Sequence, residues 1–381
     1  MPTNRLRVCL VETALPDEQG SMRRYASLIE QAFADDPTIS IERACVARDV
    51  SWLPGKLATL AHHSSNTYNA RRLARKSSAD LFHVIDGSRG YLAESLRKRK
   101  VVVTVHDIIP KLQCMGKFNV PPPGVFSRLI IDKAINGLCS ANHLIFDSRS
   151  TENDFEELPN GGVESSSVVF PPLEPTIFNS AEINRAEINS ADHDYQPSST
   201  SDAPYIFHIG NNGFYKNRIA VIRVFAEISS DIPHRLIMAG PVPTPEMRSL
   251  ADRLRVADRI EFRSRLSDQE VFECYRNASA FVFPSLYEGF GWPPIEAMAM
   301  GCPAVCSDGG SLGEVVGNAA LVSAVGDELS MAGDLKRLLT DDSEGRRLVD
   351  LGYQHVQQFG LQEFAGRLRT IYQDVKLAEG K

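Results

Sequence analysis

The residues between Pro284 and Pro303 are the most chemically equipped stretch of this 381-residue chain. A short apolar run, Ala280–Phe283, leads into Glu288-Gly289-Phe290-Gly291, and Pro293 and Pro294 follow. Proline suits a first helical turn, because the amide it lacks would be unpaired there anyway. The order therefore predicts a strand, a glycine-containing loop and a helix over Pro293–Met300. Amides around Gly289–Trp292, together with the positive end of that helix, suit an anion such as a diphosphate. Gly289 and Gly291 let backbone approach a ligand closely. Glu288 and Glu296 would lie about 12 Å apart along a helix axis at ~1.5 Å per residue. That is too far for the carboxyl pair of a retaining glycosidase (roughly 5–5.5 Å) or an inverting one (roughly 6.5–9.5 Å). Two such carboxylates are better placed to grip the ends of an elongated ligand.

These residues need elements to carry them, and the chain supplies an alternating pattern. In the first half, strands are predicted at Leu6–Val11, Ile39–Val46, Asp80–Ile85, Val101–Val105, His143–Phe146 and Ser167–Phe170, with helices at Met22–Ala34, Lys56–Lys76 and Val125–Leu138. Residues 110–124, holding Pro110 and Pro121–Pro123, read as a loop. The second half repeats the pattern from Tyr205–Ile209 through Arg235–Met238, Arg259–Phe262, Ala280–Phe283, Ala304–Cys306 and Ala320–Val322. Helices fit at Asn217–Ser229, Thr244–Val256, Asp268–Asn277, Glu328–Leu339 and Leu361–Lys376. The implied class is α/β, with two facing Rossmann-like doubly wound domains and a cleft between them. Residues 1–178 would form the first and 204–360 the second. The polar segment 179–203 reads as a flexible insertion, and 361–381 as a terminal helix packing back on the first domain.

Composition narrows the function. Hydrophobic residues at 43% and charged residues at 23% exclude a disordered or collagen-like chain. No apolar run reaches the ~18 residues of a spanning helix, and the charged start does not read as a signal peptide. Seven scattered cysteines without a CxxC pair point to a reduced, cytoplasmic chain without structural zinc. No GxGxxG follows Leu6–Val11, against a dinucleotide-dependent dehydrogenase. The net charge of −7 argues against nucleic-acid binding, yet it resides in residues 179–381. The first half is near neutral and clusters its cations at Arg71, Arg72, Arg75 and Lys76, and at Arg97, Lys98, Arg99 and Lys100. These are solvated helix ends, or they attract an anionic membrane or a phosphate-bearing acceptor.

The spacing Glu288-x7-Glu296 in its strand–loop–helix context resembles the signature of retaining GT-B glycosyltransferases, in particular the family-4 nucleotide-sugar enzymes. Gly20-Ser-Met-Arg-Arg-Tyr25 resembles their loop between first strand and first helix. Val103-Thr-Val-His-Asp-Ile-Ile-Pro110 is similar to the strand end of mannosyltransferase-like members. His208-Ile-Gly-Asn-Asn-Gly-Phe-Tyr-Lys-Asn217 resembles the opening of the nucleotide domain, and Asp308-Gly-Gly-Ser-Leu-Gly-Glu314, followed by Ala319-Ala320, the loop after its penultimate strand.

The resemblance implies transfer of a sugar from a nucleotide-sugar donor, GDP-mannose before a UDP-sugar, to a saccharide or lipid-linked saccharide. The anomeric configuration would be retained, and neither a metal nor a separate cofactor is implied. Lys216 and Gly210 would serve the diphosphate, Glu296 the ribose, and Glu288 with Gly289, Phe290 and Gly291 the sugar and phosphate. His106, with Asp107 orienting it or capping the loop, would face the transferred sugar. Gly20 and Ser21 would meet the phosphates from the first domain. The family commonly has an arginine shortly before the lysine. Tyr215 stands there instead, leaving Arg218, Arg263 or Arg265 to complete the clamp, with Arg263 and Arg265 favoured because they follow a strand. The implied location is cytoplasmic, with peripheral contact at the inner face of the membrane through the basic clusters. The alternative from a different class is a non-catalytic nucleotide-sugar-binding protein on the same fold.

Overall fold

The computed structural model describes residues 5–15, 20–163, 165–181 and 204–378. The chain divides into two units, Met1–Pro172 with Leu361–Lys381, and Leu173–Gly360. Most of the predicted 179–203 insertion lies outside the described residues.

The first unit is a parallel six-stranded sheet in the order β2-β1-β3-β4-β5-β6. Its strands are β1 (Leu6–Glu12), β2 (Ile39–Cys45), β3 (Leu81–Val84), β4 (Lys100–Val105), β5 (His143–Phe146) and β6 (Ser166–Val168). The strands inside the sheet are almost wholly buried while the edges β2 and β6 are only half so. Helices covering both faces explain why the inner strands read as unbroken apolar runs. The connecting helices are α1 (Ser21–Ala32), α2 (Gly55–Lys76), α3 (Tyr91–Leu96), α4 (Ile109–Cys114), α5 (Val125–Leu138) and α6 (Arg149–Glu156).

α4 corrects the reading of residues 110–124 as one loop. Pro110 sits in its first turn, where a missing amide costs nothing, so only the stretch after it is irregular. α6 was also unread; Ser148 caps it by accepting from the Thr151 amide at 3.1 Å.

A chain of buried hydroxyls and one imidazole crosses this unit. His83 on β3 is bonded through Nε2 to Thr104 Oγ1 and through Nδ1 to Tyr372 Oη, both at 2.7 Å. Thr104 also meets Tyr25 Oη at 3.2 Å. Burial pushes the His83 pKa down to about 3, with the charge of His106 adding to the effect, so the ring is neutral. Tyr372 belongs to the last helix, Leu361–Leu377, which is thereby held against the first unit, and Arg369 of the same helix pairs with the buried Asp36 at 2.6 Å.

The second unit holds another parallel six-stranded sheet. Its strands are β7 (Tyr205–Ile209), β8 (Arg235–Ala239), β9 (Ile260–Arg263), β10 (Ala280–Phe283), β11 (Ala304–Ser307) and β12 (Ala320–Ser323), in the order β12-β11-β10-β7-β8-β9. The helices are α7 (Arg218–Ile228), α8 (Pro245–Arg253), α9 (Asp268–Arg276), α10 (Trp292–Ala299), α11 (Leu312–Val316), α12 (Glu328–Thr340) and α13 (Asp342–His355). The chain leaves β7 toward β8 on one side and returns to β10 on the other. Between β7 and β10, then, the winding reverses, and the carboxyl ends of strands at such a point form a ligand crevice.

Candidate functional site

The sequence-read residues of the second unit gather beyond the carboxyl ends of β7 and β10. The loop after β7 runs from Gly210 to Asn217, which takes the left-handed conformation at φ 48° and opens α7. Asn217 Nδ2 donates to the Pro284 carbonyl at 3.1 Å, and the Leu286 amide donates to the Tyr215 carbonyl at 2.7 Å. Those two bonds tie the β7 loop to the β10 loop. Gly240, after β8, closes in from the third side: at φ +131° a Cβ there would stand 2.1 Å from the Gly210 carbonyl oxygen, so only glycine fits.

Lys216 and Glu288 meet across this junction. Lys216 Nζ donates to both carboxylate oxygens of Glu288 at 2.8 Å, and the side chains are only 14% and 7% exposed. The Glu288 loop is fixed from below by the 309–311 turn, where the Ser311 amide and hydroxyl donate to the Glu288 carbonyl at 3.0 and 3.1 Å. The Ser311 hydroxyl also lies 2.8 Å from the Phe290 carbonyl. Gly291 caps α10 at φ 98°, the left-handed region that glycine adopts without strain. Glu296, one turn into α10, is buried and accepts from Tyr275 Oη at 3.2 Å. Lys216, Glu288, Gly289, Phe290, Gly291 and Glu296 are thus placed by one pair of adjoining strands.

Arg218 is the arginine that the structure brings into this loop. It is 4% exposed, and its Nη1 donates to Asn212 Oδ1 at 2.5 Å and to the Pro241 carbonyl at 3.1 Å. Its Nε and Nη2 are buried without a partner. Among the described residues no carboxylate pairs with it, and burial lowers its pKa. The favoured candidates stand differently. Arg263 is spent on Glu261 at 2.7 Å and on the Cys274 sulfur, in a cavity it shares with Glu270 and Glu273. Arg265 is exposed, in a left-handed backbone position at φ 60°.

Two further buried polar atoms lie at these strand ends. His208 Nδ1 donates to the Val282 carbonyl at 3.0 Å, leaving Nε2 unpartnered. Burial, then the charges of Arg218 and Lys216, hold its pKa down to about 3, so Nε2 is an acceptor. Ser285 Oγ is likewise buried and unpartnered. Sequence reasoning assigned neither a role. Their signal was position alone, within a few residues of a strand end. An imidazole lone pair, a hydroxyl and guanidinium hydrogens without protein partners thus lie buried near these strand ends, groups of the kind that otherwise find a hydrogen-bond partner.

In the first unit, His106 follows β4. Its Nδ1 meets Asp147 Oδ2 at 2.6 Å and its Nε2 the Ile85 carbonyl at 2.8 Å. Burial disfavours the charge, but the Asp147 carboxylate outweighs it and raises the pKa to about 9. Both ring nitrogens therefore donate at neutral pH. Asp107 accepts from the Ile109 amide at 2.9 Å, fixing the turn that leads into α4. Gly20 and Ser21 open α1 on an exposed, extended turn, and a Cβ on Gly20 would touch nothing within 4 Å. Among the described residues no group of three or more His, Cys, Asp or Glu is placed to hold a metal ion.

The chain resembles known proteins in part of its sequence and in its fold. Residues 191–355 match the family Glycosyl transferases group 1. The MMP alpha-(1->4)-mannosyltransferase of Mycolicibacterium hassiacum is 36% identical over 161 residues, 41% of this chain and 38% of that protein. The chain thus spans well under two thirds of that relative. The D-inositol 3-phosphate glycosyltransferase of Streptomyces bingchenggensis is 25% identical over 84% of this chain and 71% of its own length. Among solved structures, sucrose-phosphate synthase from Thermosynechococcus elongatus superposes with a TM-score of 0.78 at 18% identity, covering 98% of this chain and all of its own.

Proposed function

We propose that this chain, a GT-B protein with a group 1 glycosyl transferase domain, transfers a sugar from a nucleoside diphosphate to an acceptor hydroxyl with the anomeric configuration retained. The observation that carries the reading is the pair of cations at the β7–β10 reversal, where Lys216 lies in the β7 loop and Arg218, which among the described residues has no carboxylate partner, opens α7 and bonds back to that loop. Negative charge grows on the diphosphate as the glycosyl bond breaks, and preorganised cations in a dry site are worth most at that moment. Lys216 Nζ carries three hydrogens and Glu288 takes up two, so one remains for a phosphate oxygen. Arg218 would supply Nε and Nη2. Glu296 would accept from the ribose hydroxyls, and Glu288 with Gly289–Gly291 would hold the sugar.

In the step itself the bond from the anomeric carbon to the diphosphate oxygen breaks, and the bond to the acceptor oxygen forms on the same face. The acceptor's proton passes to a phosphate oxygen and the nucleoside diphosphate departs, so no metal ion is needed in this reading. His106, whose two ring N–H groups are already taken by Asp147 and the Ile85 carbonyl, would act on the transferred sugar through its charge alone, and Gly20 and Ser21 would act on the phosphates. GDP-mannose is the first donor candidate, on the strength of the His106–Pro110 stretch and of a relative named a mannosyltransferase; a UDP-sugar is second. The acceptor would be a saccharide, free or lipid-linked, on the cytoplasmic side, with peripheral membrane contact through the first unit. Among the described residues no helix is long and apolar enough to cross a membrane.

A thermal-shift panel of GDP-, UDP-, dTDP- and ADP-sugars tests the reading, because a ligand stabilises by an amount set by its concentration over its dissociation constant. One nucleotide series should raise Tm, and radiolabelled sugar from that donor should appear on an acceptor. No response to any series would sink the proposal. A second reading, a non-catalytic nucleotide-sugar binder, is favoured by one observation: both oxygens of Glu288 already hold Lys216. Binding without turnover on any acceptor would select it.

A further inference from the structure

Within the Gly20–Tyr25 segment, Tyr25 is the residue that turns fully inward. It is wholly buried, and its ring stands at 89° to that of His106 with the centroids 4.8 Å apart. Ser21 and Tyr25 are four residues apart and share one face of α1. The helix that opens at Gly20 and Ser21 therefore leans on the histidine one turn later.

The histidine needs that third contact. Its two N–H groups point outward in the plane of the ring, to Asp147 Oδ2 at 2.6 Å and to the Ile85 carbonyl at 2.8 Å. They fix where the imidazole lies, but they resist its tilt about the line between the two acceptors only weakly. A ring packed at right angles removes that freedom. Asp147, then Asp86, are the carboxylates that act on His106, and His83 is the neighbouring imidazole. An imidazolium that works through its charge must be held at a fixed distance, because Coulomb energy varies with separation.

Tyr25 is in turn supported by the last helix. Phe364 packs against it with ring centroids 5.8 Å apart. The Tyr25 hydroxyl meets Thr104 Oγ1 at 3.2 Å, and Thr104 is joined through His83 to Tyr372 by two bonds of 2.7 Å. Phe364 and Tyr372 belong to the buried stripe of that one helix, so a single face supports both the ring and its hydroxyl. Packing is the stronger support, since 3.2 Å is long for a bond between hydroxyls.

We propose that Tyr25 is a positioning residue for sugar transfer: its ring fixes the orientation of the His106 imidazolium, and Phe364 of the last helix fixes Tyr25. The inference rests on the transferase reading, in which His106 acts on the sugar. It goes further by giving α1 and the last helix a part in setting kcat. A tyrosine that only filled space would contribute to stability without acting through the histidine.

The test is a double-mutant cycle on kcat at saturating donor. Tyr25→Leu should lower kcat by roughly 10- to 100-fold, as a misplacement of about 1 Å does, and leave the donor Kd unchanged. Phe364→Leu should lower it less, and Tyr25→Phe, which keeps the ring, should retain most of it. In a His106→Gln background neither leucine variant should lower kcat further by more than about twofold, because all act through one group. A readout that needs no turnover is the downfield proton resonance of the His106 N–H bonded to Asp147, identified by its loss in His106→Gln. It should persist in Tyr25→Phe and broaden or vanish in Tyr25→Leu. Far-UV circular dichroism and the Tm response to the donor show that each variant is folded with its donor site intact; should Tyr25→Leu not fold, Phe364→Leu carries the same two readouts. Normal kcat in the leucine variants overturns the proposal, as do losses that multiply with that of His106→Gln, or an unchanged resonance. Absence of transfer by the unaltered chain strikes the transferase reading instead, and the resonance then decides whether Tyr25 holds the ring.

Discussion

Replacing Arg218 by methionine separates the cost of a buried cation from its use. Arg218 is 4% exposed, its guanidinium makes two hydrogen bonds, and among the described residues it has no carboxylate partner. An uncompensated buried charge costs several kcal/mol even after relaxation, whereas each lost hydrogen bond to a charged group is worth roughly 1.5–3 kcal/mol. The two effects oppose, so ligand-free stability should stay within about 1 kcal/mol of the unaltered protein. Donor binding has no such offset. Losing one or two charge-assisted bonds to a phosphate, at ~1.5–3 kcal/mol each, should raise the donor Kd by roughly tenfold for one weak bond to about ten-thousandfold for two strong ones. Arg218→Lys should not rescue it, because an ammonium lacks the planar fork that would span Nε and Nη2. Urea unfolding of the ligand-free protein and calorimetric titration with the preferred nucleotide-sugar read the two quantities. Inorganic pyrophosphate, against sodium chloride at equal ionic strength, shows whether the anion alone is felt. An unchanged donor Kd in Arg218→Met would refute the assignment, and loss of several kcal/mol of ligand-free stability would refute the view that this guanidinium waits for an anion.

Lys216→Met should strip Glu288 of its partner and cost about 3–5 kcal/mol, as breaking a buried pair does; Lys216→Met with Glu288→Gln should recover much of that in urea unfolding while transfer stays down by orders of magnitude. The pKa of His106 is raised to about 9 in the fold from 6.5, so its contribution to stability is fully present below pH 6.5 and is lost as pH rises through about 9; unfolding midpoints over pH 6–10 should fall in that window for the unaltered chain and flatten in Asp147→Asn. Tyr372→Phe leaves His83 Nδ1 without its partner and should cost roughly 1–3 kcal/mol, read as a shift in the urea midpoint.

Alternation of apolar runs and amphipathic stretches made both sheets legible, and several strands, such as β7 and β10, begin and end where the hydropathy does. The short helices were harder to read. α4 hides behind a proline that merely occupies its first turn, and α6 behind a polar run that Ser148 caps. At the site, Lys216, Glu288 and Glu296 could be read because strand, loop and helix follow one another in the chain. Their partners Tyr275 and Ser311 could not, since they come from elsewhere in the unit, and neither could Asp147, the partner of His106 in the first unit. The protonation of the histidines was equally hidden. His83 is fully buried and His106 largely so at the sheet of the first unit, yet one meets two hydroxyls and stays neutral while the other meets a carboxylate and is charged.

The second cation shows where spacing stops being informative. Arg263 drew attention by following a strand, but Glu261 lies two residues earlier on the same strand, and positions i and i+2 share a face. Their 2.7 Å pair is therefore a local consequence of the sequence, and it spends the arginine before any ligand arrives. Arg218 opens a helix, where a cation opposes the dipole and would ordinarily turn to solvent. It is buried instead because Gly240 lets the β8 loop close over the β7 loop and puts the Pro241 carbonyl within 3.1 Å of Nη1. Three unfavourable conditions coincide at this residue: a positive helix end, a neighbouring lysine and burial without a carboxylate. A negatively charged ligand relieves all three together, and a dianionic diphosphate relieves them more fully than a single carboxylate could.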